Sequence, residues 1–161
     1  MPIIQNLAQR VVIDTNVCLD LFVFHDPRWA LLLQAIQEGR VEVITRDDCR
    51  REWEIVLHYP QLPLDDDKRP VAAAQFDALF RCIALADYVP PLFHLPLCKD
   101  TDDQKFVETA YQCKAAVLIT KDKALLRLAR QTARLGVCAI LTPQAWLKEY
   151  GTTRDLPAAM R

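Results

Sequence analysis

Apolar positions in this chain switch between two periods. Short β-branched or apolar runs, Val11–Ile13, Val41–Ile44, Ala116–Ile119 and Val137–Leu141, read as buried strands. Between them apolar residues recur every three or four positions, the spacing of a helix packed on one side. The first strand ends in Asp14. A helix is then expected from Asp26, a capping residue, with Pro27 at its first position, a stripe of Trp29, Leu32, Leu33 and Ile36, and Gly39 as its stop. Past the second strand, Thr45 and Asp48 have the spacing of a capping box and open a helix whose buried stripe is Cys49, Trp53, Val56 and Leu57.

The stretch HYPQLPLDDDKRP holds too many prolines and acids for a regular element and reads as a loop. Pro70 opens a third helix carrying Phe76, Leu79, Phe80 and Ile83. Tyr88 to Cys98 is proline-rich and extended, a connector or an edge strand. A helix over Thr101–Cys113 presents Phe106, Val107, Ala110 and Cys113, and another spans Lys123–Arg134. Pro143 opens a last helix with Trp146 and Leu147. Strands that alternate with helices imply an α/β fold of three layers, α/β/α, around a mostly parallel sheet of about five strands. One domain over residues 1–150 is expected, with a flexible tail over 151–161.

At 161 residues the chain is long enough for one real core. It has no apolar run of the roughly 20 residues a membrane span needs, and its start, MPIIQNLAQR, lacks the layout of a signal peptide. A cytoplasmic protein is expected. The six cysteines are widely spaced, form no CxxC pair and fall mostly in apolar segments, which suits reduced core thiols. The formal net charge is −1, so any nucleic-acid binding needs a local basic patch. Two clusters are available: Arg46, Arg50 and Arg51, and Lys121, Lys123, Arg127, Arg130 and Arg134. Each is equally readable as a solvated helix face.

Ligands of open α/β sheets bind beyond the carboxyl ends of the strands. Asp14 follows the first strand directly and Asp122 follows AVLIT by one residue. Asp103 lies in the first turn of the preceding helix. Glu52 lies in the helix after the second strand, roughly 85° from the centre of its apolar stripe against roughly 115° for Glu54, so it sits nearer a cleft. Like charges gathered in one cleft repel unless one protonates or a cation binds. Oxygen ligands suit Mg²⁺ or Mn²⁺, ions that promote attack of water on a phosphodiester. Each acid alone also reads as a turn former or helix cap, and Asp100, Asp102 and Asp103 also suit a helix start through its dipole.

Taken in order, the motifs IDTN, REWEIVL, KDTDDQKFVETA and LITKD resemble the PIN-domain ribonucleases, many of which are toxins of bacterial toxin–antitoxin pairs. The resemblance covers about residues 10–142. It implies a metal-dependent nuclease for single-stranded RNA, with Asp14, Glu52, Asp103 and Asp122 as the acidic catalytic set and Asp14, Asp103 and Asp122 as metal ligands. It implies substrate-side roles for Asn16 and Thr120, and it leaves Asp100 as an alternative ligand or a supporting group. An antitoxin partner and a homodimer also follow from it; the apolar segment from Val71 to Leu97 reads equally as an interface or as internally packed. Two positions depart from the family pattern: Lys121 stands where Gly is frequent, in reach of a phosphate, and Gln104 where Asn is common. Rival folds fit less well. Dehalogenase-like phosphatases need Asp-x-Asp where this chain has Asp14 and Asn16, and receiver domains need an acidic pair that is missing before Asp14. A PIN-like module that binds without catalysis remains the non-enzymatic alternative.

Overall fold

Alternation along the first strand fixes the architecture. In β1 (Gln9–Ile13), Val11 and Ile13 point to one side and Val12 to the other, and all three are buried. A strand buried on both faces needs cover on both. The computed structural model describes residues 8–151 and supplies that cover in three layers. The sheet contains β2 (Val41–Arg46), β3 (Phe80–Ile83), β4 (Val117–Ile119) and β5 (Ala139–Leu141), in the order β3-β2-β1-β4-β5 with every pairing parallel. The expected three-layer α/β fold is therefore the observed one.

One core, on the Val11 and Ile13 side, packs against α1 (Thr15–Phe22), α2 (Ala30–Gln37), α3 (Asp47–Val56), α4 (Lys68–Leu79) and α8 (Pro143–Tyr150). The other gathers Val12, Ile44, Leu118 and Ile140 beneath α5 (Gln104–Gln112), α6 (Lys123–Leu126) and α7 (Ala129–Arg134). Aromatic residues dominate the first core. Trp53 stacks on Phe76 with ring centres 4.9 Å apart, and Phe22 meets Trp53, Phe76 and Phe80 edge-on at 6.0, 6.3 and 5.7 Å.

Several expected boundaries move. Helix α1 begins directly after Asp14, and seven of its eight residues are buried. Pro27 does start a helical segment under an Asp26 cap, but as one 3₁₀ turn before α2. Gly39 follows α2 at φ +76°, the left-handed conformation that ends a helix at least steric cost. Thr45 belongs to β2, so the expected capping box does not form; Asp48 instead accepts two hydrogen bonds from Arg46 at 2.8 Å. Phe80 to Ile83 is the edge strand β3 rather than the end of a helix, and Tyr88–Cys98 forms no strand. The 101–113 helix opens with a 3₁₀ turn capped by Asp100, and the 123–134 helix is interrupted at Arg127–Leu128. Of the tail expected over 151–161, only Gly151 falls among the described residues. Among those residues no helix is long and apolar enough to cross a membrane.

Phe22 joins α1 to α3, α4 and β3 at once. Phe22→Ala should cost about 3–5 kcal/mol through lost burial and the cavity left behind. A urea unfolding series should show this as a lower midpoint with an unchanged slope.

Candidate active site

The sheet order places the site. From β1 the chain moves outward through β2 and β3, then crosses back to add β4 and β5 on the other side of β1. The crevice beyond the carboxyl ends of β1 and β4 is therefore the switch point of the topology, where α/β sheets bind ligands. Register brings Ile13 beside Ile119, and the Asp14 N–H donates to the Ile119 carbonyl at 3.0 Å. Asp14 and Thr120 thus leave adjacent strands side by side. The Thr120 hydroxyl donates to Asp14 Oδ2 at 2.7 Å and receives the Asp122 N–H at 2.9 Å. One buried hydroxyl fixes both the carboxylate of β1 and the backbone that carries Asp122.

Asp14 is only 3% exposed. Burial pushes its carboxyl up, the Thr120 hydrogen bond pulls it down, and the charges of Glu52 and Asp122 push it up again. Glu52 arrives from α3. Its carboxylate accepts from the Thr15 hydroxyl on one oxygen and from Lys105 Nζ on the other, the latter at 3.0 Å. Glu54 faces away, in an exposed pair with Arg50. Asp103 ends the 3₁₀ turn before α5, and its oxygen, an Asp122 oxygen and Cys98 Sγ all lie within 4.8 Å of one another.

A PIN-domain family model matches residues 10–124, most of the chain and all four acids. The chain belongs to the PIN-domain family. PIN domains are generally nucleases, hydrolases that use divalent metals and act on RNA. The chain is also similar to an uncharacterized protein of Methanocaldococcus jannaschii, 25% identical over 156 residues that cover 93% of this chain and 97% of that one.

The electrostatics of this PIN site suit a cation. Two unit charges about 5 Å apart repel by roughly 3 kcal/mol at an effective dielectric near 20. A hydrogen bond to a charged group returns only about 1.5–3 kcal/mol. Burial, contact with Asp122 and the charges of Asp14, Asp100 and Asp122 push Asp103 up to about 7. Among the described residues no donor reaches the buried Asp122 Oδ2. Two facing carboxylates offer only acceptors, so a shared proton or a cation is what can join them. Asp103 and Asp122, grouped with Cys98 and within the field of Asp14, therefore offer acceptors that suit a divalent ion.

The other expected residues are distributed unevenly. Asn16 is exposed in the first turn of α1, two residues after Asp14. Lys121 is paired with Asp20 at 2.6 Å and is not free to meet a phosphate without leaving it. Asp100 is exposed and its side chain accepts from the Asp102 N–H, a capping role one turn before Asp103. Four residues of the site lay outside the sequence reading: Thr15, Lys105, Asp20 and Cys98. Lys105 carried a signal, two positions after Asp103. Cys98 carried none, because it stands in the irregular segment. Gln104 holds it there, accepting the Cys98 N–H at 2.6 Å and donating to the Pro96 carbonyl at 3.1 Å.

An Asp held protonated by the fold up to about pH 7, but only to about pH 4 when unfolded, stabilises the native state at low pH. That stability fades as pH rises from about 4 to 7, since the native state then binds the extra proton. In chelator the melting temperature should therefore fall between pH 5 and 8, by the equivalent of about 1–2 kcal/mol after solvent screening. Adding millimolar Mn²⁺ should flatten or reverse the slope. A melting temperature independent of both pH and Mn²⁺ would contradict this account of Asp103.

Proposed function

We propose that the protein is a Mg²⁺- or Mn²⁺-dependent endoribonuclease that hydrolyses phosphodiester bonds in single-stranded RNA, and that it acts as the toxin of a toxin–antitoxin pair in the cytoplasm. The observation that carries the nuclease reading is the close group of Asp103, Asp122 and Cys98 beside the buried Asp14, whose charge acts on both acids. Asp14, Asp103 and Asp122 hold the ion. When bound, the ion activates water and neutralises charge at the scissile phosphate.

The chain's own residues set the stage for that chemistry. Thr120 fixes the Asp14 rotamer and the Asp122 backbone. Glu52, held by Thr15 and Lys105, orients the attacking water, and Lys105 swings from Glu52 toward the phosphate as substrate enters. Asn16, two residues after Asp14, contacts the RNA backbone, and Lys121 joins it on leaving Asp20. The toxin role and a cognate antitoxin rest on the family resemblance. A homodimer is supported by apolar side chains left in solvent at Val71, Leu85, Val89, Leu92 and Leu97.

Purified protein with Mn²⁺ or Mg²⁺ should cleave single-stranded RNA, and chelator should stop it. Asp14→Asn keeps the size of the side chain and its contact with Thr120 but removes the charge. Losing about 4 kcal/mol of transition-state stabilisation corresponds to a rate at least about 10³-fold lower. Equal cleavage by wild type and variant on several RNAs would end the catalytic reading. Binding without cleavage would instead make the protein a PIN-fold binding module.

A further inference from the structure

An acidic crevice on a chain of net charge −1 repels a polyanion, so RNA needs cations beside the site. The structure separates the two basic clusters of the sequence. Arg46 is 1% exposed and spends its guanidinium on Asp48 and Glu108 at 2.8 and 2.9 Å, under the ring of Tyr88. Arg50 is bound to Asp77 and Glu54, which leaves Arg51, exposed and without an ion pair among the described residues, as the single open cation of that cluster. Lys121 is bound to Asp20.

Lys123, Arg127, Arg130 and Arg134 differ. All four are exposed, and among the described residues none of them makes an ion pair. They are spaced four, three and four residues apart across α6, the turn at Arg127–Leu128 and α7, and all four face solvent. Leu125, Leu128 and Thr132 occupy the opposite, buried side. The row continues through the interruption at Arg127–Leu128. It starts one residue after Asp122, and Lys123 and Arg127 flank Leu126 in a shallow groove of about 290 Å³.

We propose that Lys123, Arg127, Arg130 and Arg134 form a phosphate rail that guides single-stranded RNA to the crevice at Asp122. The inference rests on the nuclease reading for its purpose, but not for its measurement. The four side chains bind backbone phosphates without reading bases, so the contact is independent of sequence and sensitive to salt. Single-strand binding loses about 0.7 in the slope of log K against log salt for each phosphate contact removed.

The test is fluorescence anisotropy with a fluorescein-labelled oligouridylate 12-mer in EDTA, so that cleavage does not intrude. Replacing all four cations with Gln should lower the slope by about 3 and weaken binding at least tenfold at 50 mM salt. A variant with Arg127, Arg130 and Arg134 all replaced by Lys should keep the wild-type slope. Arg40→Gln with Arg81→Gln, which removes two cations elsewhere on the surface, should also leave it intact. A four-fold Gln variant whose slope stays within about 0.5 of wild type overturns the rail, as do an equal fall in the Arg40 and Arg81 control or absence of RNA binding by wild type. A wild type that binds through the rail but never cleaves with Mn²⁺ would sink the nuclease reading alone.

Discussion

The Asp14 carboxylate is buried at the junction of β1 and β4, and much of the surrounding structure answers to that burial. A buried charge is costly unless it is paired or hydrogen-bonded. Among the described residues its side-chain donor is Thr120, which stands at that point only because the parallel register sets Ile13 against Ile119. The same hydroxyl accepts from the Asp122 backbone, so sheet pairing, the buried acid and its neighbouring acid are mechanically one unit. Glu52 and Asp103 are brought to it by α3 and by the turn before α5, elements lying on opposite faces of the sheet. The fold thus concentrates negative charge that its own donors offset only in part.

What was legible in the sequence follows from how each element is solvated. Strands buried on both faces announce themselves as short apolar runs, and the acids that follow them could be placed at the sheet edge. Pro143 and Asp26 marked helical starts through local chemistry that packing does not override. Helix α1 gave no such signal. Seven of its eight residues are buried, so TNVCLDLF lacks the polar side that creates a helical period. Strand β3 misled in the opposite way. Phe76, Leu79, Phe80 and Ile83 have helical spacing, yet the helix stops at Leu79 and Phe80 is already extended. Only pairing with β2 decides that boundary, and pairing is not local.

The site shows the same division. Spacing placed Asp14 and Asp122 after their strands and preferred Glu52 to Glu54 for the cleft, and in the structure Glu52 meets Thr15 and Lys105 while Glu54 meets Arg50. The partners of these acids were out of reach, because Lys105 with Glu52 and Lys121 with Asp20 are long-range contacts across the chain. Gln104 illustrates how a small departure from a family pattern acquires a use. Its longer amide spans Pro96 and Cys98 and pins an otherwise irregular segment against the crevice.

The ladder between β1 and β4 has a consequence for synthesis. Asp14 is made early, but its partner Thr120 lies 106 residues later and Asp122 later still. A ribosome must therefore finish most of the message before the crevice can close around its acids. A truncated product, released anywhere short of the fourth strand, carries the first acid without the Thr120 hydroxyl that holds it in the finished sheet.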